Sequence, residues 1–200
     1  MKRWIKRLLI KWIGTARRIL YSDQNAVNNP NNISFEMNAG IGYPFIIGNG
    51  KLIKLGKNSY VGRQAWLEIY GEKGEIVIEE EVRIGNFACI TAIDSVKIGR
   101  GTLISEYFYA SDHTHGFDPE SKLVPAQQPI DSKGGVEIGE NCFIGYRVSI
   151  LPGVKLGKRC VVGAHSVVTR SFPDCTMIAG VPAKAIKKYS FEKKSWENCN

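Results

Sequence analysis

Aliphatic residues recur every six positions through the second half of the chain. The step is carried by Ile138, Ile144, Ile150, Leu156, Val162 and Val168. A compact residue lies four places after each of the first five, as Cys142, Val148, Val154, Cys160 and Ser166. A period of six matches neither an α-helix nor a single strand, and it indicates a repeated unit. Because each compact residue stands two before the next aliphatic, both face the same side of a strand, which predicts a narrow coil of short parallel rungs.

The same pattern occurs upstream, so the repeat extends over residues 47–170. There it is carried by Leu55, Val61, Leu67, Ile78, Ile84, Ile90, Ile98 and Ile104, with Ser59, Ala65, Val82, Ala88 and Thr102 in the compact positions. The phase breaks near 71–77, 93–97 and 107–135. An antiparallel sandwich would instead alternate, with turns every 8–12 residues. The six-residue step therefore favours a solenoid of parallel coils.

This pattern resembles that of the hexapeptide-repeat acyltransferases. The resemblance implies an all-β fold, a left-handed parallel β-helix of triangular section with eighteen residues in each turn. It also implies a homotrimer in which the acyl groove lies between neighbouring prisms. On that geometry Cys142 and Cys160 would stack one coil above the other.

Composition limits the class of protein further. The chain has 200 residues, of which 44% are hydrophobic and 23% charged, enough for one domain with its own core. Its five cysteines are scattered and include no CxxC pair, which favours a reducing cytoplasm over a disulfide framework. The net charge of +8 is concentrated in residues 1–20, which hold seven basic residues and no acidic one. With little excess charge elsewhere and no nucleic-acid motif, nucleic acid is not an expected partner.

The basic segment has the periodicity of an amphipathic helix. Apolar residues at 4, 5, 8, 9, 12, 13, 16, 19 and 20 fall on one helical face, opposite the cations. Lys11 interrupts the apolar run, which argues against a signal peptide and against a membrane span. Two interpretations remain: the helix binds an anionic membrane surface through Trp4 and Trp12, or it packs on the solenoid or on a neighbouring subunit.

Three regions follow from these patterns. Residues 1–35 hold the basic helix and an asparagine-rich loop, and residues 36–170 form the β-helix with its protruding loop 107–135. Residues 171–200 form a C-terminal segment that, by the resemblance, closes the coenzyme A site. Its last stretch, YSFEKKSWENCN, is interpreted as a short helix.

The loop at 107–135 is the long excursion from the repeat, and it holds two of the three histidines. Its SDHTHG motif resembles the loop of sugar O-acetyltransferases such as the galactoside and maltose enzymes. The resemblance implies that His113 is the general base that deprotonates a sugar hydroxyl, and a free imidazole, with a pKa near 6.5, suits this task. His115 would face the same side of an extended chain and is a candidate substrate contact. Asp94, placed by the repeat in a compact interior position, is a second one.

A zinc site is an alternative, because γ-type carbonic anhydrases share this scaffold and bind zinc through three histidines. His113, His115 and His165 are the three available here. The HxH spacing is closer than the spacing of that family, and we predict no metal site.

The motif GAHSVVTR, followed by AGVPAKAIK, resembles the closing coils of the members that use acetyl-CoA. By position it implies coenzyme A contacts at Tyr146, Ala164, Thr169, Arg170 and Lys187. Small residues let the pantetheine arm approach the backbone, and arginine and lysine meet its phosphates.

Together these patterns predict an acetyl-CoA-dependent O-acetyltransferase that modifies a sugar hydroxyl in surface polysaccharide or glycolipid synthesis. It would work in the cytoplasm, and on the first of the two interpretations residues 1–20 would bring it to the inner membrane face. Two alternatives stay open: an acetyltransferase for a small soluble acceptor such as a free sugar, nucleotide-sugar amine or drug, and a non-catalytic β-helix scaffold.

Overall fold

A computed structural model describes residues 33–42, 45–47, 52–70 and 73–199. Within these residues the chain is almost entirely β and winds into a parallel solenoid of about seven turns, consistent with the left-handed β-helix of hexapeptide repeats. The helix expected in residues 1–20 lies outside the described residues. In the described part of the chain, no helix is long and apolar enough to cross a membrane.

Each coil gives one strand to each of three parallel sheets, here called faces A, B and C. Face A contains β1 (Ile33–Phe35), β4 (Leu52–Leu55), β7 (Glu75–Ile78), β10 (Ser95–Ile98), β15 (Val136–Ile138) and β18 (Lys155–Leu156). Face B contains β2 (Gly40–Ile41), β5 (Tyr60–Val61), β8 (Arg83–Ile84), β11 (Leu103–Ile104), β16 (Phe143–Ile144), β19 (Val161–Val162) and β21 (Thr176–Gly180). Face C contains β3 (Phe45–Ile47), β6 (Ala65–Ile69), β9 (Cys89–Ala92), β12 (Tyr109–Ser111), β17 (Ser149–Ile150) and β20 (Val167–Val168).

The inward positions predicted from the repeat form the core. Leu55, Ile78, Ile98 and Ile144 are all 0% exposed, and burying an aliphatic side chain of this size stabilises the fold by about 1.5–3 kcal/mol. Polar residues in the compact position form hydrogen bonds inside the solenoid. The hydroxyl of Thr102, for example, donates to the Gly139 carbonyl over 2.9 Å. The Phe143–Val161 pairing places Cys142 above Cys160 as expected, and both are buried.

Two corners of each coil are tight turns that stack in register. Positive φ occurs at the A–B corner in Asn58, Glu81, Asn141 and Arg159, and at the B–C corner in Gln64, Phe87, Tyr107, Arg147 and His165. The left-handed conformation costs a residue with a side chain about 1–2 kcal/mol. A hydrogen bond between coils accompanies it, such as that from the Asn58 N–H to the Met37 carbonyl at 2.9 Å. Stacking is so close that a Cβ on Gly139 would lie 2.6 Å from the Gly157 backbone.

The third corner, from face C to face A, takes up every change in coil length. Within each coil, the core residues of faces A, B and C are still six residues apart. The number of residues between paired positions on face A of successive coils varies: it is 20 (Ile33–Ile53), 23 (Ile53–Ile76), 20 (Ile76–Val96), 40 (Val96–Val136) and 18 (Ile138–Leu156). Three hexads therefore form the three faces of each coil as predicted, and insertions at the third corner raise the separation above eighteen in all but the last full coil. The extra residues lie between β3 and β4 and in the links 70–74, 93–94 and 112–135, and at these three links the sequence loses phase.

The C-terminal end differs from the prediction. Instead of a helix, YSFEKKSWENCN completes an antiparallel extension of face B, in which β22 (Ala183–Ser190) pairs with β21, and β23 (Ser195–Asn198) pairs with β22. The spacing of Lys193 and Glu197, which form an ion pair at 2.6 Å, also suits a helix. Here the pairing of β23 with β22 determines the conformation instead.

Candidate functional site

The long link 112–135 forms a hairpin on the C–A edge of the solenoid. Strand β13 (His113–His115) pairs antiparallel with β14 (Ile130–Ser132), and one 3-10 turn, Pro125–Gln127, lies between them. The hairpin is fixed to the next coil where the Gly153 N–H donates to the Gly134 carbonyl over 2.9 Å. Gly153 has φ +78°, and a Cβ there would lie 2.7 Å from the Lys133 carbonyl oxygen. The end of the excursion is thus held against the coils.

His113 lies where the hairpin leaves face C. Its side chain is 9% exposed, and its Nδ1 lies 2.9 Å from Oδ1 of Asp112. The Ser111 hydroxyl oxygen is 3.4 Å from the same nitrogen. A carboxylate can only accept, so the neutral imidazole donates from Nδ1 and keeps the Nε2 lone pair free. This tautomer can take a proton from a bound molecule.

Asp112 is held by a ring of donors and is 0% exposed. Oδ1 accepts the N–H of Ile93 at 2.9 Å, and Oδ2 accepts those of Asp94 at 2.8 Å and Ser95 at 2.7 Å. An unpaired buried carboxylate would be very costly, but three amides and the imidazole satisfy this one. The residues that interrupt the repeat in the preceding coil therefore form its anion-binding corner. Sequence reasoning missed Asp112, although an acid directly before a candidate base was a usable signal.

Asp94 does not occupy the interior position that the repeat assigned to it. Its side chain is exposed, whereas Ala92 and Val96 on either side of it are 0% exposed. The physical reason is the two-residue insertion 93–94, which puts Asp94 in the corner instead of the rung. It is nevertheless close to His113, because its backbone amide binds Asp112 and its Oδ2 lies 2.8 Å from the Ser132 hydroxyl.

His115 lies on the same strand as His113, opposite Ile130 in the hairpin, and is exposed. Among the described residues, no hydrogen bond links the two imidazoles. His165 lies elsewhere, on the B–C corner, where its ring contacts Tyr146 with the centroids 5.5 Å apart. In the described ranges, no group of three or more His, Cys, Asp and Glu residues is arranged to hold a metal ion.

Tyr70 is a further neighbour of His113 that sequence reasoning did not identify. The two rings meet edge to face, with centroids 5.2 Å apart. The Tyr70 hydroxyl donates to Oε2 of Glu68 over 2.6 Å, and the indole N–H of Trp66 donates to the same oxygen over 2.7 Å. The hydrogen bond to Glu68, followed by burial, raises the pKa of Tyr70 to about 12, so the phenol stays protonated near neutral pH. In the sequence WLEIY, Trp66, Glu68 and Tyr70 are two residues apart, which places their side chains on the same side of a strand. This alternation is the sequence signal that could have identified Tyr70.

The residues expected to bind coenzyme A lie in three places. Tyr146 and Ala164 stack one coil apart on the B–C corner, where both are exposed. Thr169 and Arg170 follow β20 on the C–A edge, the same edge as His113. Lys187 is half-buried on β22, opposite Met177. Face C separates the first pair from the second, so the structure does not bring the five together within one chain.

Replacing Asp112 by Asn tests this donor ring. The amide offers one acceptor oxygen and one NH2 group, so in either orientation the NH2 faces a buried N–H. We expect the free energy of unfolding to fall by about 2–4 kcal/mol, measured by urea denaturation. Asp131→Asn, on the exposed side of the hairpin, is the matched control and should change it by about 0.5 kcal/mol or less. Equal stability of the two variants would contradict the proposed role of Asp112 as a buried anion.

Comparison with known proteins agrees with the fold and the motifs. Residues 135–170 match the family model described as bacterial transferase hexapeptide (six repeats). WbbJ of Escherichia coli K12, named as a lipopolysaccharide biosynthesis O-acetyl transferase, is 40% identical over 163 residues, covering 78% of this chain and 82% of WbbJ. A relative from Mycobacterium tuberculosis, which is named as an acetyltransferase, is 29% identical to this chain. The match covers 72% of this chain and only 46% of that protein.

Solved structures show the same fold at low identity. An N-acyltransferase from Bacillus cereus, AntD, in complex with dTDP-4-amino-4,6-dideoxyglucose and coenzyme A, matches with a TM-score of 0.66 and 20% identity over 78% of this chain and 87% of that one. The acetyltransferase VCA0836 from Vibrio cholerae, complexed with acetyl-CoA, matches with a TM-score of 0.55 and 22% identity over 88% and 78%. With the identity and coverage shared with WbbJ, these findings show that the chain belongs to the hexapeptide-repeat transferases and is an acyltransferase.

Proposed function

We propose that this protein is an acetyl-CoA-dependent O-acetyltransferase for a sugar hydroxyl, with His113 as the general base. The observation that carries the proposal is the Asp112–His113 pair, 2.9 Å apart and nearly buried. The Asp112 carboxylate sets the tautomer and the orientation of the imidazole. His113 lies on the C–A edge, which also holds Thr169 and Arg170. The sugar acceptor is supported by the name of WbbJ, the relative at 40% identity.

The reaction needs two proton transfers, one from the sugar hydroxyl to His113 and one from His113 to the leaving sulfur. His113 accepts the hydroxyl proton at Nε2 while the sugar oxygen attacks the thioester carbonyl. The carbon–sulfur bond of the tetrahedral intermediate then breaks, and the imidazolium returns the proton to the departing sulfur of coenzyme A. The charge of Asp112 stabilises the imidazolium between the two steps. Because the thioester is already activated, no covalent acyl-enzyme is required.

An amine acceptor is the second candidate, because AntD was solved with an amino sugar nucleotide. The geometry at His113 favours a hydroxyl. A neutral amine can attack a thioester before it loses a proton, whereas a hydroxyl gains much more from a base in hydrogen-bond reach. A base held by a buried carboxylate therefore suits O-acetylation.

Acetyl-CoA would be bound between two copies of the chain. Ala164 is small and exposed on the B–C corner, as close approach of a pantetheine arm requires, while Arg170 supplies a cation on the C–A edge. These edges flank face C, so one copy's B–C corner next to another copy's C–A edge would complete the site. A cyclic homotrimer meets this need with three equivalent interfaces. The C-terminal strands with Lys187, in residues 171–200, would close the site.

Residues 1–20 suggest where in the cell the enzyme binds its acceptor. We propose that their seven cations and two tryptophans hold the enzyme on the anionic inner face of the cytoplasmic membrane. A lipid-linked saccharide, such as a precursor of a surface polysaccharide, would then be within reach. A small soluble acceptor would need no such contact.

Substituting the base tests the mechanism. His113→Ala should lower kcat by a factor of about 10²–10⁴ and leave the Kd for acetyl-CoA unchanged, because the side chain acts on the acceptor proton. Thiol release from acetyl-CoA with a panel of p-nitrophenyl glycosides gives the rates. His115→Ala, two residues away on the same strand, should raise KM for the sugar more than it lowers kcat. Wild-type turnover in His113→Ala would end the assignment.

Subunit mixing tests the shared site. His113→Ala and Ala164→Trp should each be inactive, the second because the indole fills the space for pantetheine. Unfolding and refolding them together should restore about a quarter of the wild-type rate, as random assembly of a cyclic trimer places an intact pair at that fraction of interfaces. Activity no greater than that of the separate variants would show that one chain holds the whole site.

Vesicle flotation tests the membrane contact. The full chain should float with vesicles of phosphatidylserine and phosphatidylcholine, and much less with phosphatidylcholine alone or at high salt. Each basic residue near the surface contributes about 1 kcal/mol, so Lys6→Glu with Arg7→Glu should weaken binding strongly. Equal flotation with neutral and anionic vesicles, or none, would favour a helix packed on the protein.

A further inference from the structure

The outer side of face C carries two rows of side chains that run from coil to coil toward His113. Strand pairing aligns Trp66 with Cys89 and Tyr109 in one row, and Glu68 with Thr91 and Ser111 in the other. Neighbours in a row are about 4.8 Å apart, the spacing of hydrogen-bonded strands. We call these two rows, together with Tyr70, the face C strip. One row is aromatic at both ends, and the other is polar throughout.

Glu68 is the only charged residue of the strip. Its Oε2 takes both the Trp66 indole N–H and the Tyr70 hydroxyl, at 2.7 and 2.6 Å. Within the described part of the chain, Oε1 of this carboxylate has no hydrogen-bond donor and no cation is paired with the group. The aromatic side chains thus hold a carboxylate in one orientation and leave one of its oxygens for a ligand.

In the single chain the strip is exposed, and it lies close to the proposed base. Trp66, Tyr70 and Tyr109 are 43%, 38% and 37% exposed, which is unusual for side chains that bury well. At its His113 end, the Tyr70 ring contacts the imidazole, and the Ser111 hydroxyl oxygen is 3.4 Å from Nδ1. A molecule lying on the strip would therefore present its edge to His113.

We propose that the face C strip binds the acceptor as an uncharged pyranoside and that Glu68 excludes acidic sugars. This inference rests on the proposed function and names its substrate class. A pyranose has an apolar C–H face for the exposed aromatic rings and a rim of hydroxyls that can donate to Oε1, and a hydrogen bond to a charged acceptor is among the stronger ones. The Thr91 hydroxyl supplies a neutral partner in the same row.

Charge provides the discrimination. A uronic or sialic acid would bring a second carboxylate beside Glu68, and like charges brought together at a partly desolvated site strongly oppose binding. The influence of Glu68 already reaches the next coil, because burial and then the Glu68 charge raise the pKa of the Cys89 thiol. A neutral sugar meets no such repulsion.

The experiment compares neutral and acidic sugars of the same shape. Wild-type protein is assayed with acetyl-CoA and p-nitrophenyl glucoside, galactoside, glucuronide and galacturonide, and binding is followed separately by tryptophan fluorescence without acetyl-CoA. We expect each neutral sugar to exceed its acidic counterpart in kcat/KM by at least about 100-fold. Glu68→Gln should raise KM for the neutral sugar by about tenfold or more. It should also lower the ratio of kcat/KM for the neutral sugar to kcat/KM for its acidic counterpart. Trp66→Phe should remove the fluorescence change.

Glu137→Gln is the matched control, since Glu137 points outward from face A and forms an exposed ion pair with Lys155 at 3.7 Å. It should leave KM and the neutral-to-acidic ratio unchanged. Transfer to both classes of sugar at equal rates, or a ratio unaltered in Glu68→Gln, would overturn the inference and leave the proposed function intact. Neutral sugars that bind with a Trp66 signal but accept no acetyl group would support the strip and refute the proposed function. No binding and no transfer with any of the four would overturn both.

Discussion

Stacking by parallel hydrogen bonds is the constraint on which this molecule depends. In the described coils, each inner rung pairs with the rung above it and the rung below it, and the N–H groups of the left-handed corner residues join the same ladder, as at Asn58 and Tyr107. A residue added to face A, B or C, or to the two tight corners, would move every later side chain to the wrong side. Length can therefore vary only on the C–A edge. The links 70–74, 93–94 and 112–135 all lie there, and with them the residues that can perform chemistry.

The candidate site follows from that restriction. The insertion 93–94 turns three backbone amides toward one point, and the hairpin that begins one coil later places the Asp112 carboxylate on it. His113 is oriented by this carboxylate on one side and by Tyr70 on the other. The base thus stands on a rigid support although it belongs to a long link. Rigid placement of a reactive group lowers the entropy lost on reaching the transition state.

Much of the fold could be predicted from the sequence because a narrow interior leaves a direct record in it. Ile138, Ile144 and Ile150 must be aliphatic, and no register other than six satisfies all three faces. The loss of phase locates a lengthened corner only to within a few residues, as 93–97 for the insertion 93–94, so Asp94 was assigned to a rung when it lies in the insertion. Asp112 was missed because its partners are amides, which any residue supplies, and only the folded chain brings them near. The roles of His113, His115 and the coenzyme A residues stay predictions, since they depend on molecules that bind to the chain.

The ends of a solenoid are open sheet edges, and such edges invite other strands to pair with them. At the C-terminal end the chain covers part of this edge itself, because β22 runs antiparallel along β21 and β23 closes the hairpin. The outermost strand then carries Glu197, paired with Lys193, near the turn. β22 occupies the edge of β21 to which the face B strand of a further coil would have to pair. The last two strands thus act as a terminator on face B, because a further coil could pair with β21 there only by displacing them.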